Sequence, residues 1–174
     1  VDMWSDEPGF DELAKATGVT GICGSGIIEV VAEMFLAGII SEDGVIDGSK
    51  SATSARIYED KRTFSYRLWD TEDGPGITIT QTDVRAIQMA KAALYAGVKL
   101  LMEKHESAGV SKISLAGAFG TFIDPKYALV LGLIPDCELE NVNAVGNAAG
   151  VGAKMALLNR DYRRESETTV RKIE

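Results

Sequence analysis

Three glycine turns hold the residues whose types and spacing could do chemistry: GICGSG at 21–26, LAGAFG at 115–120 and VGNAAGVG at 145–152. The first has two glycines separated by four residues, the spacing of a phosphate-binding loop. That loop needs a Lys after the second glycine, followed by Ser or Thr, to neutralise the terminal phosphates. Here Gly26 is followed by Ile27 and Ile28, so the phosphate loop fails. The dinucleotide pattern G-x-G-x-x-G fails as well, because Glu29 occupies the third glycine position. Cys23 as a nucleophile needs a base. The single histidine, His105, sits at the polar end of a long helical pattern. Cys23 is therefore expected to be a small buried residue in a tight turn. What remains is a glycine turn opening a helix, with the N–H groups of Gly24, Ser25 and Gly26 facing whatever lies there. Ligand contact and tight strand–helix packing both stay open for it.

In the second turn, Leu115 ends a strand expected to be buried. Gly117, Ala118 and Gly120 keep side chains away, so a flat ring can lie against the backbone, and Phe119 adds an apolar wall. A strand running into a glycine turn at the carboxyl edge of a sheet is where α/β proteins bind ligands. Packing is again the alternative. In the third turn, Gly146, Gly150 and Gly152 alternate with Ala148, Ala149 and Ala153. Such small residues predict a close helix crossing, and a hinge if two lobes move.

These turns must be held by regular elements. DELAKA is a short amphipathic helix. From Gly24 a helix is expected, with Ile27, Ile28, Val31, Ala32, Phe35 and Leu36 at helical spacing and Gly38 as the stop. Residues 41–54 are polar and turn-forming. ARIYED and TFSYRLW then predict a strand pair, TEDGPG a turn and ITIT a short strand. A long helix follows, with Thr80 and Asp83 at capping-box spacing. Its apolar stripe runs through Ala86, Ile87, Ala90, Ala93, Leu94, Val98 and Leu101. Gly97 inside it costs about 1 kcal/mol relative to Ala, which predicts a close neighbour. KISLA is a strand, DPKYALVLGL a helix with Asp124 as cap and Pro125 in the first turn, NVNAVG a strand, and AAGVGAKMALL a helix. Helix, strand, helix, strand, helix is an α/β layered arrangement. The polar end, RRESETTVRKIE, reads as running into a strand.

Composition narrows the function. Of 174 residues, 45% are hydrophobic and 25% charged, as in ordinary globular proteins. Lys and Arg number 18 against 26 Asp and Glu, a net charge of −8 that argues against a nucleic-acid partner. No apolar run is long enough to span a bilayer, so no membrane is expected. The acidic start VDMWSDEPGFDE is unlike a secretory leader. Cys23 and Cys137 lie far apart, and with one histidine they cannot build a zinc or iron–sulfur site. Free thiols in a cytoplasmic setting, no metal site, and a piece of a longer protein are the expectations.

GICGSGIIEVVAEMFLAGII, ITQTDVRAIQMAKAALYAGVKLLM, LAGAFGTFIDPKYALVLGLIPD and VGNAAGVGAKMALL, in that order, resemble the C-terminal region of the reductive activators of corrinoid proteins. These are iron–sulfur proteins of corrinoid-dependent methyl transfer. The resemblance covers most of residues 18–160. It implies an α/β fold, an RNase H-like lobe of an actin/hexokinase-type ATPase domain in the acetate kinase, sugar kinase, Hsp70 and actin (ASKHA) superfamily. Residues 1–174 would be the C-terminal nucleotide-binding lobe, with 41–80 a polar and β-hairpin excursion. It implies ATP with Mg2+ in the full protein, and a 2Fe–2S cluster in the parent but not in this piece. The implied partner is a corrinoid protein of a methyltransferase system, in which ATP-driven electron transfer reduces cob(II)alamin to cob(I)alamin.

By position, Gly24, Ser25 and Gly26 resemble the first connecting segment beside the nucleotide. Gly117, Ala118, Phe119 and Gly120 resemble the adenosine motif, and Gly146, Asn147, Gly150 and Gly152 the second connecting segment. No Asp-x-Gly phosphate motif precedes residue 20 and neither phosphate hairpin is present. Catalytic residues and Mg2+ ligands therefore have no assignment, and the piece alone is expected to be inactive. A lobe of another kinase or ATPase of the superfamily, and a non-catalytic docking domain, are the alternatives; a homo-oligomer is left open.

Overall fold

Residues 8–70 and 76–173 are described by the computed structural model. The first helix, α1 (Phe10–Thr17), ends at Gly18 in the left-handed conformation. Helix α2 (Gly24–Leu36) starts where the glycine turn predicts and stops at Ala37, with Gly38 left-handed at φ 65°. Its inner face buries Ile28, Val31, Ala32 and Met34. A short antiparallel bridge, Ile40 to Ile46, folds the chain back before the excursion.

The excursion is a three-stranded antiparallel sheet in the order β1 (Ile57–Asp60), β2 (Thr63–Trp69), β3 (Ile77–Ile79). Its register pairs Ile57 with Tyr66 and Tyr66 with Ile79, and period-two alternation turns Ile57 and Ile79 inward. The expected TEDGPG turn lies, apart from Gly76, outside the described residues.

Helix α3 (Gln81–Lys104) opens on a full capping box. The Thr80 hydroxyl accepts from Asp83 N, and the Asp83 carboxylate accepts from Thr80 N at 2.8 Å. Asp is long enough to close the box that usually takes Glu. The side-chain amide of Gln81 next reads the backbone of the 40–46 segment. Oε1 accepts from Ile46 N at 2.9 Å and Nε2 donates to Gly44 O at 2.7 Å. We expect Thr80→Ala to lower stability by about 1 kcal/mol. A shifted urea midpoint with an unchanged slope would report it.

Two apolar clusters meet along α2. One joins Val31, Met34, Ile40, Ile46, Ile57, Ile79 and Val84, tying α2 to the excursion and to the first turns of α3. The other joins Ile28, Ala32, Tyr127, Ala128 and Leu133, tying α2 to α5 (Pro125–Val130).

The remaining elements are β4 (Ile113–Ala116), α4 (Ala118–Phe122), β5 (Val142–Gly146), α6 (Ala148–Leu158) and α7 (Arg160–Val170). Strands β4 and β5 form a parallel pair. A mixed α/β architecture results, as expected.

Several expectations are corrected. The α3 stripe is not covered beyond its first turns: Val84 is buried, whereas Leu94, Leu100 and Leu101 are exposed. Gly97 has nothing within 4 Å of where a Cβ would stand, so no close neighbour explains it. Strand β4 is half-buried rather than buried. The polar end forms helix α7 instead of a strand. Asn159 caps it, with Oδ1 accepting from Asp161 N at 2.8 Å. The accessible surface of 12303 Å2 far exceeds the about 8,200 Å2 of a closed monomer of this mass.

Candidate nucleotide site at the carboxyl ends of a parallel strand pair

Strands β4 and β5 run in register from Ile113 opposite Val142 to Leu115 opposite Ala144, then shift so that Ala116 faces Gly146. The extra residue, Val145, is a bulge at the carboxyl end, a device that re-aims the chain beside binding sites. Both strands there enter glycine turns that start helices.

Gly117 adopts φ 109° and ψ 163°. Only glycine is at ease in that region of backbone space. Its N–H donates to the Gly146 carbonyl at 2.8 Å, and Gly146 has φ 72°. The second and third glycine turns are thus joined by one backbone hydrogen bond across the sheet edge. Among the described residues, no atom lies within 4 Å of a would-be Cβ on either glycine, which leaves open space over both.

Thr121 braces this turn. Its hydroxyl donates to Gly117 O at 2.8 Å, and its N–H reaches the same oxygen at 3.1 Å. Gly120 has a different reason to be glycine: a Cβ would stand 3.3 Å from the Leu115 carbonyl carbon, because α4 lies back on β4. The side chains of Ala118 and Phe119 lie outside what the structure describes, and so does the apolar wall expected of Phe119.

Cys23 is the N-cap of α2. Its Sγ accepts from Gly26 N at 3.3 Å and lies 3.3 Å from Ser25 Oγ. The hydrogen bond from the Ser25 hydroxyl, then that from Gly26 N–H, lowers the thiol pKa below its ordinary value. The side chain is exposed, which corrects the expectation of a small buried filler. Its two partners are a hydroxyl and a backbone N–H, neither of them a base. Gly26 is glycine for a local reason: a Cβ would stand 3.1 Å from Ile22 Cγ2 and 3.2 Å from Cys23 Sγ.

The first two turns lie on touching elements. Helix α2 contacts both α4 and α5, and Ile28, one turn inside α2, shares its cluster with Ile123, which follows α4. Asp124 caps α5, its Oδ1 accepting from Lys126 N at 2.8 Å. The Tyr127 hydroxyl then donates to Glu33 Oε1 at 2.6 Å. That bond to a carboxylate, helped by burial of the ring, pushes the phenol up to about 12. Within the third turn, Asn147 Oδ1 accepts from Gly150 N at 2.9 Å, and a Cβ on Gly150 would collide with the Asn147 amide. Gly152 faces open space. The close helix crossing expected of these glycines is therefore not seen; Gly150 serves a cap.

Sequence reasoning missed the Gly117–Gly146 bond, the Thr121 brace and the Tyr127–Glu33 bond. Only Thr121, one helical turn after Gly117, leaves a local signal. A separate groove of about 460 Å3 between α2 and α3, lined by Val31, Phe35, Val84 and Tyr95 among others, includes no residue of the three turns.

The family model for the C-terminal domain of RACo, the ASKHA domain, matches residues 3–174. The chain belongs to this family. Its ASKHA domain is also 36% identical over 155 residues to the corrinoid activation enzyme RamQ of Eubacterium limosum, covering 83% of this chain and 26% of that protein. Among solved structures it matches a reductive activator for corrinoid, iron–sulfur protein. The TM-score is 0.76 at 35% identity, over 87% of this chain and 24% of that one. The expected actin/hexokinase-type fold class is thereby established. The chain spans about a quarter of the length of the relatives it matches.

Gly117 and Gly146 leave side-chain-free backbone against which a nucleotide base could lie. An iron–sulfur cluster does not fit, because the thiols are two and each stands alone. Among the described residues no three His, Cys, Asp or Glu side chains gather as metal ligands. No described helix is long and apolar enough to cross a membrane.

Proposed function

We propose that this ASKHA domain, within a longer cytoplasmic protein, binds ATP across the Gly117 and Gly24 turns. The longer protein would use that binding to drive reduction of cob(II)alamin to cob(I)alamin in a corrinoid partner. The observation that carries the binding step is the joined pair of positive-φ glycines with open space over both, at the carboxyl ends of parallel strands.

In this reading Gly117 leaves room for the adenine ring against the backbone, Gly120 lets α4 lie back on β4, and Thr121 keeps Gly117 in the conformation that makes the room. The first turn of α2 presents backbone N–H groups and the positive end of a 13-residue helix to the phosphates. Gly26 N–H is already engaged by Cys23 Sγ, so the thiol orders that turn. Bound ATP supplies a difference in affinity between two arrangements of the lobes, which is what moves a conformational equilibrium. No side-chain ligand for the phosphates or for Mg2+ is assigned in this chain.

The rest of the longer protein has a place to pack. The exposed apolar residues of α3 and α6 and the outer edges of β4 and β5 are surfaces that a two-lobed ATPase would cover. The relatives' printed names support the corrinoid partner. The test uses the full-length protein, pre-reduced, with a corrinoid partner in the cob(II) state. Absorbance should show cob(I)alamin accumulating with ATP and far less without it. Equal rates with and without ATP would remove the proposal.

A further inference from the structure

Helix α2 opens on the Gly24 turn, and α5 follows closely on the short helix α4 that the Gly117 turn opens. Ala32 of α2 and Ala128 of α5 are buried in one cluster with Ile28, Tyr127 and Leu133. Apolar contact of this kind is non-directional, so it resists separation far more than sliding or rotation. A hydrogen bond is directional, weakening steeply as its angle opens. Glu33 Oε1 accepts from the Tyr127 hydroxyl at 2.6 Å across this seam, 94 residues apart in sequence. Lys126 Nζ stands 3.8 Å from the same oxygen and 4.8 Å from the centre of the Tyr127 ring. One carboxylate thus gathers a hydroxyl and an ammonium from the neighbouring helix.

Both ends of this contact lead directly to the turns. Glu33 lies nine residues after Gly24, about 14 Å along a rigid helix. Tyr127 follows Gly120 by seven residues, most of them in α4 and the first turn of α5. A slip of α5 along α2 would therefore carry the Gly117 turn with it.

We propose that the Tyr127–Glu33 hydrogen bond is a positioning joint that fixes the spacing between the Gly117 turn and the Gly24 turn, so that one nucleotide touches both. This rests on the nucleotide reading above, and it makes a distinction that reading does not. A ligand that spans both turns feels the joint, whereas one that touches only the Gly117 turn does not. ATP is the first kind and adenosine the second.

The experiment is calorimetric titration of the full-length protein with ATP and with adenosine, well below the melting temperature. The proteins are wild type, Tyr127→Phe, Glu33→Ala, Glu33→Gln and the Tyr127→Phe/Glu33→Ala double variant. Tyr127→Phe keeps the ring and its packing. We expect ATP to bind about tenfold more weakly to Tyr127→Phe and to Glu33→Ala, with adenosine changed less than about twofold. Glu33→Gln keeps an acceptor oxygen and should retain most of the ATP affinity, as a joint requires and mere charge near the phosphates does not. The double variant should be no worse than either single one, the signature of one shared interaction. Equal weakening of ATP and adenosine, no weakening of either, or additive losses in the double variant would overturn the joint while leaving the nucleotide site standing. A wild-type protein that binds neither ligand removes the nucleotide reading, and the joint with it.

Discussion

Gly117→Ala lowers stability by about 1–3 kcal/mol through the backbone alone, and Gly117→Val by more, while Gly152→Ala is neutral or stabilising by about 0.5–1 kcal/mol. The two glycines look alike in sequence, each in a run of small residues. Both face open space, so crowding separates neither from Ala. What separates them is the backbone. Gly117 holds φ 109° and ψ 163°, where a Cβ is strained whatever surrounds it. Gly152 sits inside α6 without a positive φ, where Ala is the better helix former. If Gly117 relaxes to relieve the strain, its N–H leaves the Gly146 carbonyl and the join between the two strand ends is lost. Urea unfolding of the three variants beside wild type measures this. Equal stability of the Gly117 and Gly152 variants would mean that the turn is not held as described. The same strain means that lost ATP binding in a Gly117 variant would not by itself locate the ring.

Leu101→Asp and Leu157→Asp should each destabilise the full-length protein by about 2–4 kcal/mol. At truly solvent-facing positions such changes stay within about 0.5 kcal/mol. Leu101 is 65% exposed and Leu157 76% exposed, so the present chain gives no reason for either to be apolar. Their neighbours repeat the pattern, with Leu100 at 66% and Leu158 at 75%. Helix α3 is 24 residues long, and only its first turns meet the excursion and α2. A helix of that length, about 36 Å, with an apolar stripe on its free part needs a partner surface. The proposed covering by the rest of the longer protein makes these leucines core residues there. Thermal unfolding of the full-length variants decides it. Losses no larger than those of a surface charge change would leave these faces without a partner inside the protein.

Much of the fold was legible where the signal is local. The capping box at Thr80 and Asp83, the Asp124–Pro125 start of α5, the Gly38 stop and the strands of the excursion all depend on neighbours within four residues, and all appear as expected. Errors arose where a glycine or an apolar stripe was given a distant partner. Gly97 and Gly152 meet nothing, and Gly26 and Gly150 serve their own caps. Cys23 was expected inside because small thiols usually are, but an N-cap position holds it at the surface. Helix α7 was missed because its charged residues lack an apolar stripe, and the Asn159 cap was the available cue. At the site, glycine spacing pointed to the LAGAFG turn. The bond to Gly146 and the tie from Tyr127 to Glu33 cross 29 and 94 residues, and no local pattern encodes such pairings.

The most direct measurement is hydrogen exchange of the full-length protein with and without ATP, read by mass spectrometry at peptide resolution. ATP should slow exchange in peptides covering 115–122 and 22–28, with a smaller effect at 145–150 where Gly146 holds Gly117, and little change in the excursion at 57–70. Protection confined to other segments, or none at saturating ATP, would contradict a nucleotide site built on the Gly117 and Gly24 turns.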